Sequence, residues 1–182
     1  MLIVAWVVVL ATRDSGESLG ESDPLPPVSG SLTPGDTSSG IATNADVTGD
    51  PLPSALVSDL AGEQIDTTAL AGQPLVINIW FSTCAPCREE LPDFAEVHAE
   101  LGDQVDFVGI NQFPASDREE DFARDLGVTY SLYYDGNSEF ISQLGIARYP
   151  VTLFVTPDGT IARQAGQLDA ERLRSIIAQD LL

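Results

Sequence analysis

Cys84 and Cys87 are the only cysteines in a chain of 182 residues, and two residues separate them. Isolated cysteines are commonly buried as small hydrophobes, so spacing and surroundings must carry any chemical reading. A structural zinc site takes four ligands, and the single histidine, His98, cannot complete one with two thiols. No metal site is therefore expected. A disulfide closing so short a loop constrains little of the unfolded chain, which argues against a purely structural bond. Reversible dithiol–disulfide chemistry is the reading that remains.

That chemistry needs an acidified thiol, because the thiolate is the nucleophile. The run Leu75-Val76-Ile77-Asn78-Ile79-Trp80-Phe81 reads as a central strand covered on both faces. From about residue 84 to 101, Leu91, Phe94, Val97 and Leu101 recur at helical spacing, with Glu89, Asp93, Glu96 and Glu100 facing water. Cys84 then falls at the helix N-terminus, where unpaired N–H groups and the dipole favour an anion. Cys87, almost one turn on, faces the same way and can attack a mixed disulfide formed at Cys84. Pro86 removes a donor that the first turn leaves unpaired and stiffens the loop. Glu90 shares the Cys87 face and stands where it could relay a proton during resolution. Tyr149-Pro150-Val151 puts a proline directly before a strand. A cis bond there would be a deliberate feature, although trans turn prolines are commoner.

The elements around these residues alternate strand and helix. Residues 55–59 and 64–66 flank Leu60-Ala61-Gly62-Glu63 and read as a hairpin. Residues 105–111 form the next strand. Ser116 with Glu119 makes a capping box for a helix through Leu126, buried by Phe122 and Leu126. A strand at 130–134 and a helix at 139–144 follow. Strands at 151–155 and 160–164 are joined by Thr156-Pro157-Asp158-Gly159. Asp169 caps a last helix that turns Leu173, Ile176, Ile177 and Leu181 to the sheet. The sum is an α/β domain over residues 54–182, a mixed central sheet flanked by helices on both sides. His98, late on the first helix, is expected at the surface or between helix and sheet rather than as a base.

Upstream, residues 12–53 are rich in Gly, Ser, Thr, Pro and Asp, lack aromatics and read as a flexible tether. Residues 1–11 are apolar but too short to span a bilayer, and no basic segment precedes them. They read as an incomplete signal peptide or truncated membrane anchor. The domain is therefore expected outside the cytoplasm, anchored or released after cleavage. Trp6, within that run, carries no catalytic implication. Acids number 28 against 8 basic residues, a net charge of −20, which excludes a nucleic-acid footprint. Anionic headgroups would repel such a surface, so contact with a membrane is expected only through the N-terminal segment.

The stretch Trp80-Phe81-Ser82-Thr83-Cys84-Ala85-Pro86-Cys87-Arg88-Glu89-Glu90-Leu91-Pro92 resembles the active-site signature of the TlpA/ResA-like thiol–disulfide oxidoreductases, a branch of the thioredoxin fold. The resemblance covers residues 54–182, including the N-terminal hairpin and an inserted helix before Tyr130. It implies a thioredoxin-like domain whose Cys84–Cys87 disulfide is the redox centre, with no separate cofactor. It also implies that Pro150 is a cis-proline against that disulfide, that Tyr149 shapes pocket and potential, and that Glu90 is the acid beneath the cysteines. Trp80, Thr83, Pro86 and Tyr149 are the expected substrate-contact positions. Asn78 stands where thioredoxins proper carry a buried acid, which favours the exported branch. Thr83 departs from the tryptophan that commonly precedes the first cysteine and leaves substrate breadth open.

By the same resemblance the expected reaction is reduction of disulfides in exported proteins such as apocytochrome c, with electrons from a membrane thiol carrier of the CcdA type. The motif does not fix the direction of electron flow, since related dithiol proteins span about −270 to about −120 mV. Two alternatives stand beside it. A peroxiredoxin-like thiol peroxidase shares the fold but uses Thr-x-x-Cys, and here Phe81 stands three residues before Cys84. A non-catalytic, tethered partner-binding module would use the cleft around Cys84 and Pro150.

Overall fold

The apolar run before the cysteines becomes the centre of the sheet in a computed structural model, which describes residues 43–182. The anchor read at residues 1–11 and the tether up to residue 42 lie outside the described residues. The strands are β1 (Leu56–Ser58), β2 (Gln64–Asp66), β3 (Leu75–Trp80), β4 (Asp106–Asn111), β5 (Ser131–Tyr134), β6 (Val151–Val155) and β7 (Ile161–Ala165). They pair in the order β2-β1-β5-β4-β3-β6-β7. The β3–β4 and β4–β5 ladders are parallel and the others antiparallel. The helices are α1 (Ala85–Leu101), α2 (Asp117–Asp125), α3 (Glu139–Gln143) and α4 (Ala170–Asp180).

Every residue of β3 is buried, as a strand with helices on both faces requires. Side chains alternate across it. Val76 and Trp80 join Leu91, Phe94 and Val97 of α1 and Leu173, Ile176 and Ile177 of α4 in one apolar layer. Leu75, Ile77 and Ile79 join Phe140 and Ile141 of α3 in the other. Asn78 therefore points into the α1 layer, a polar residue among hydrophobes. At Gly109 of β4 a Cβ would sit 2.5 Å from Leu132 Cδ2 and 2.9 Å from Trp80 Nε1, so only glycine lets those side chains close over the strand.

Several local expectations change. Residues 44–52, read as tether, lie on the domain: Asn44 Oδ1 accepts from the N–H groups of Ala147 and Arg148, and Val47 and Leu52 are buried. Composition misleads here, because two apolar side chains and a run of backbone hydrogen bonds suffice to dock a polar segment. In α2 the fully buried side chains are Glu119 and Ala123, while Phe122 and Leu126 are half-buried. The capping box is half-formed: Ser116 Oγ accepts from the Glu119 N–H, but the Glu119 carboxylate turns inward. On α1 and α4, Leu101 and Leu181 lie at the core's margin, and Asp93 is half-buried rather than solvated.

Candidate active site

The chain leaves β3 through a turn in which the Cys84 N–H donates to the Phe81 carbonyl at 3.1 Å. Cys84 then caps α1 in an extended conformation, its Sγ accepting from the Cys87 N–H at 3.3 Å. Pro86 occupies the first helical turn, where its missing donor costs nothing. Cys84 and Cys87 are joined in a disulfide, with Cα atoms 5.3 Å apart. Cys84 retains 6% exposure and Cys87 none, so an incoming protein can reach only the first sulfur.

The surroundings come from other loops. The Tyr149–Pro150 peptide is cis, and Val151 after it pairs with Ile79, so Pro150 lies at the sheet end from which the Cys84 turn departs. Tyr149 meets the Phe81 ring edge-on at 5.1 Å, and Phe81 meets Phe113 at 5.4 Å. Phe113 is 43% exposed, and Thr83 is exposed at the turn. Phe113, Phe81 and Tyr149 form an aromatic wall, of which Phe81 and Tyr149 pack against the cluster that holds the two cysteines. Trp80 is not part of it: fully buried, it stacks on Phe122 beneath α2. Strand alternation turns Trp80 inward, so the expectation that it touches substrate fails for that residue. Phe113 was missed, although an aromatic in the loop after a parallel strand sits where such folds place their sites.

Beneath Cys87, Glu90 is 1% exposed. Its Oε1 accepts from Asn78 Nδ2 at 2.7 Å and its Oε2 from the Leu168 N–H at 3.1 Å. Burial pushes its carboxyl up to about 7, against the pull of those two donors, and Asp93 adds to the rise. The Asn78 Oδ1 has no partner, so the same amide holds an unused acceptor beside Glu90. A narrow cleft of about 310 Å³, lined by Glu89, Glu90, Asp93, Gln167, Leu168 and Asp169, opens from this carboxyl to solvent.

A second buried carboxylate grips the turn itself. Glu119 accepts from the Ser82 N–H at 2.8 Å, from the Ser82 hydroxyl, and from Asn111 Nδ2 at 2.7 Å. Burial opposes its ionisation, but the Ser82 donors and Asn111 outweigh it and hold the carboxyl below its ordinary value. Arg88 reaches the Ser82 carbonyl at 3.1 Å and lies over the Phe122 ring at 4.7 Å. His98 sits apart from the cysteines, against Phe107 and Tyr130 and 3.2 Å from the Thr129 hydroxyl. It is a helix–sheet residue. Among the described residues no helix is long and apolar enough to cross a membrane.

Known proteins share this fold. A model described as the AhpC/TSA family matches residues 48–164. The thiol-disulfide oxidoreductase ResA of Bacillus subtilis is 23% identical over 116 residues, which span 63% of this chain and 65% of that protein, just under two thirds of its length. The sporulation thiol-disulfide oxidoreductase A of the same organism is 27% identical, over 65% of this chain and 74% of its own. The crystal structure of a DsbF homologue from Corynebacterium diphtheriae superposes with a TM-score of 0.62 at 28% identity, covering 78% of this chain and 96% of that one. The chain has the thioredoxin fold and the dithiol centre of a thiol–disulfide oxidoreductase, and it belongs to the AhpC/TSA family.

Proposed function

We propose that this enzyme works outside the cytoplasm as a dithiol reductant of exported proteins, apocytochrome c among them. The observation that carries the reading is the pairing of an accessible Cys84 with a sealed Cys87 that shares its helix face with the buried Glu90. In the reduced enzyme the Cys84 thiolate attacks one sulfur of the substrate disulfide and expels the other as a thiolate, which takes up a proton. Cys87 then gives its proton to the Glu90 carboxylate and attacks Cys84 Sγ. The second substrate sulfur leaves, two electrons have passed to the substrate, and the Cys84–Cys87 disulfide is restored.

The N-terminal apolar segment and the likeness to ResA support an extracytoplasmic setting, and a membrane thiol carrier of the CcdA type would return the electrons. Pro150 and Tyr149 border the cleft that receives the substrate chain, with Thr83 and Pro86 on the helix side. In a Cys87→Ser variant, resolution is blocked and the substrate stays attached to Cys84. Recovery of exported proteins in that mixed disulfide, cytochrome c precursors included, is the expected result. Trapping by Cys84→Ser instead would reverse the assignment of the two thiols. Insulin reduction by the wild type, abolished in Cys84→Ser, separates catalysis from mere binding. A thiol peroxidase would instead consume peroxide through Cys84.

A further inference from the structure

We propose that Glu119 and Arg88 are positioning residues of the redox turn, which clamp Ser82 from both sides and hold opposite charges behind Cys84. The proposal deepens the reading above, since it takes Cys84 as the attacking thiol. Ser82 is the first central residue of the turn that the Cys84 N–H closes onto Phe81. Its three polar groups are all taken by side chains: N–H and hydroxyl by Glu119, carbonyl by Arg88. The two grips come from different elements, α2 and α1, so the turn cannot shift without breaking both. Asn111, at the end of β4, completes the set by donating to Glu119 while its Oδ1 accepts from the Phe113 N–H. One network thus fixes both the approach to Cys84 and the loop that carries Phe113.

The charges act in opposite senses. Glu119 is a buried carboxylate with three donors, so it stays ionised and its field opposes a thiolate at Cys84. Arg88, exposed and directly after Cys87, favours that thiolate. Arg118 lies close enough to Glu119 to stabilise its charge, and Glu90 adds a second acid behind Cys87 only when ionised. A raised thiol pKa withdraws stabilisation from the reduced form's thiolate, and a less stabilised reduced form gives up its electrons more readily, so a carboxylate here favours the reductant. The helix N-terminus alone would push the other way.

The test uses the full chain in a Cys87→Ser background, where Cys84 is the one thiol. Its pKa is read from the rate of alkylation by iodoacetamide between about pH 5 and about pH 9. Glu119→Gln keeps the shape and removes the charge; it is expected to raise the rate at low pH by roughly 3-fold or more. Arg88→Gln is expected to lower the rate by a similar factor. Unchanged rates in both variants overturn the proposal. Shifts of the same sign in both overturn it too, because they mark loosening of the turn rather than opposed fields. If Glu119→Gln does not fold, the exposed Arg88 decides alone, a rate unchanged or raised being the contrary result. The readout needs no substrate protein: absence of insulin reduction with these shifts intact would sink the proposed function and leave the clamp standing.

Discussion

At the scale of single residues, Glu90 links stability to chemistry. An unfolded carboxyl ionises near 4.5, whereas burial holds this one near 7 in the folded protein. Unfolding therefore releases a proton between those values, and stability falls as pH rises from about 4.5 to about 7. The contribution is about 3 kcal/mol across the window. Glu90→Gln should flatten that slope, so its urea midpoint gains on the wild type at pH 8 and not at pH 4; parallel profiles would contradict the burial argument. Asn78 explains why either charge state is tolerated, since Nδ2 donates to the carboxylate and the free Oδ1 can accept from the acid after the amide turns. The same variant should slow resolution of a Cys84 mixed disulfide about 100-fold, measured by stopped flow, because the proton from Cys87 loses its acceptor. Spacing placed Glu90 on the Cys87 face, but its burial beneath the cysteines was implied only by the family resemblance. Its partner was not legible, because Asn78 lies twelve residues earlier and only strand alternation turns it toward α1.

At the scale of elements, the sheet centre was legible because β3 and β6 are apolar runs interrupted only by Asn78 and Thr152, and the turns between strands carry Gly, Pro and Asp. The inserted helix α2 was legible as a helix but not in its use. Its local pattern pairs Ser116 with Glu119 as a cap, whereas the carboxylate bonds to Ser82, 37 residues away. Nothing in a local window encodes that choice; it follows from Trp80 stacking on Phe122, which brings α2 down against the β3 exit. Gly109 makes that approach possible. Gly109→Ala would drive a methyl into Leu132 and the Trp80 indole, and should cost about 1–3 kcal/mol in a denaturant titration. Because the displaced Trp80 leads directly into the redox turn, the variant's insulin reduction should fall as well. Loss of stability without loss of activity would show that the turn is held by the Ser82 clamp alone.

At the scale of the molecule, the domain begins earlier than its composition indicates. The polar segment 44–52 docks through features that composition averages away. Leu52 N–H donates to the Gly159 carbonyl, Gly49 N–H to Ile161, and Val47 and Leu52 complete the apolar layer under α3. Asn44 reaches further toward function. Its side chain bonds the backbone of Ala147 and Arg148, the two residues that lead into Tyr149 and the cis Pro150. A chain beginning at Ser54 therefore loses more than surface. Compared with one beginning at Thr43, it exposes the sites of two buried side chains and should be less stable by about 3 kcal/mol. Its thermal midpoint should fall by roughly 10 °C. The loop before Pro150 also loses its external tie, so insulin reduction at a temperature where both chains are folded should be slower in the shorter one. Equal rates with unequal midpoints would confine the segment to stability; equal midpoints would mean that residues 43–53 contribute nothing to the fold, against the burial of Val47 and Leu52.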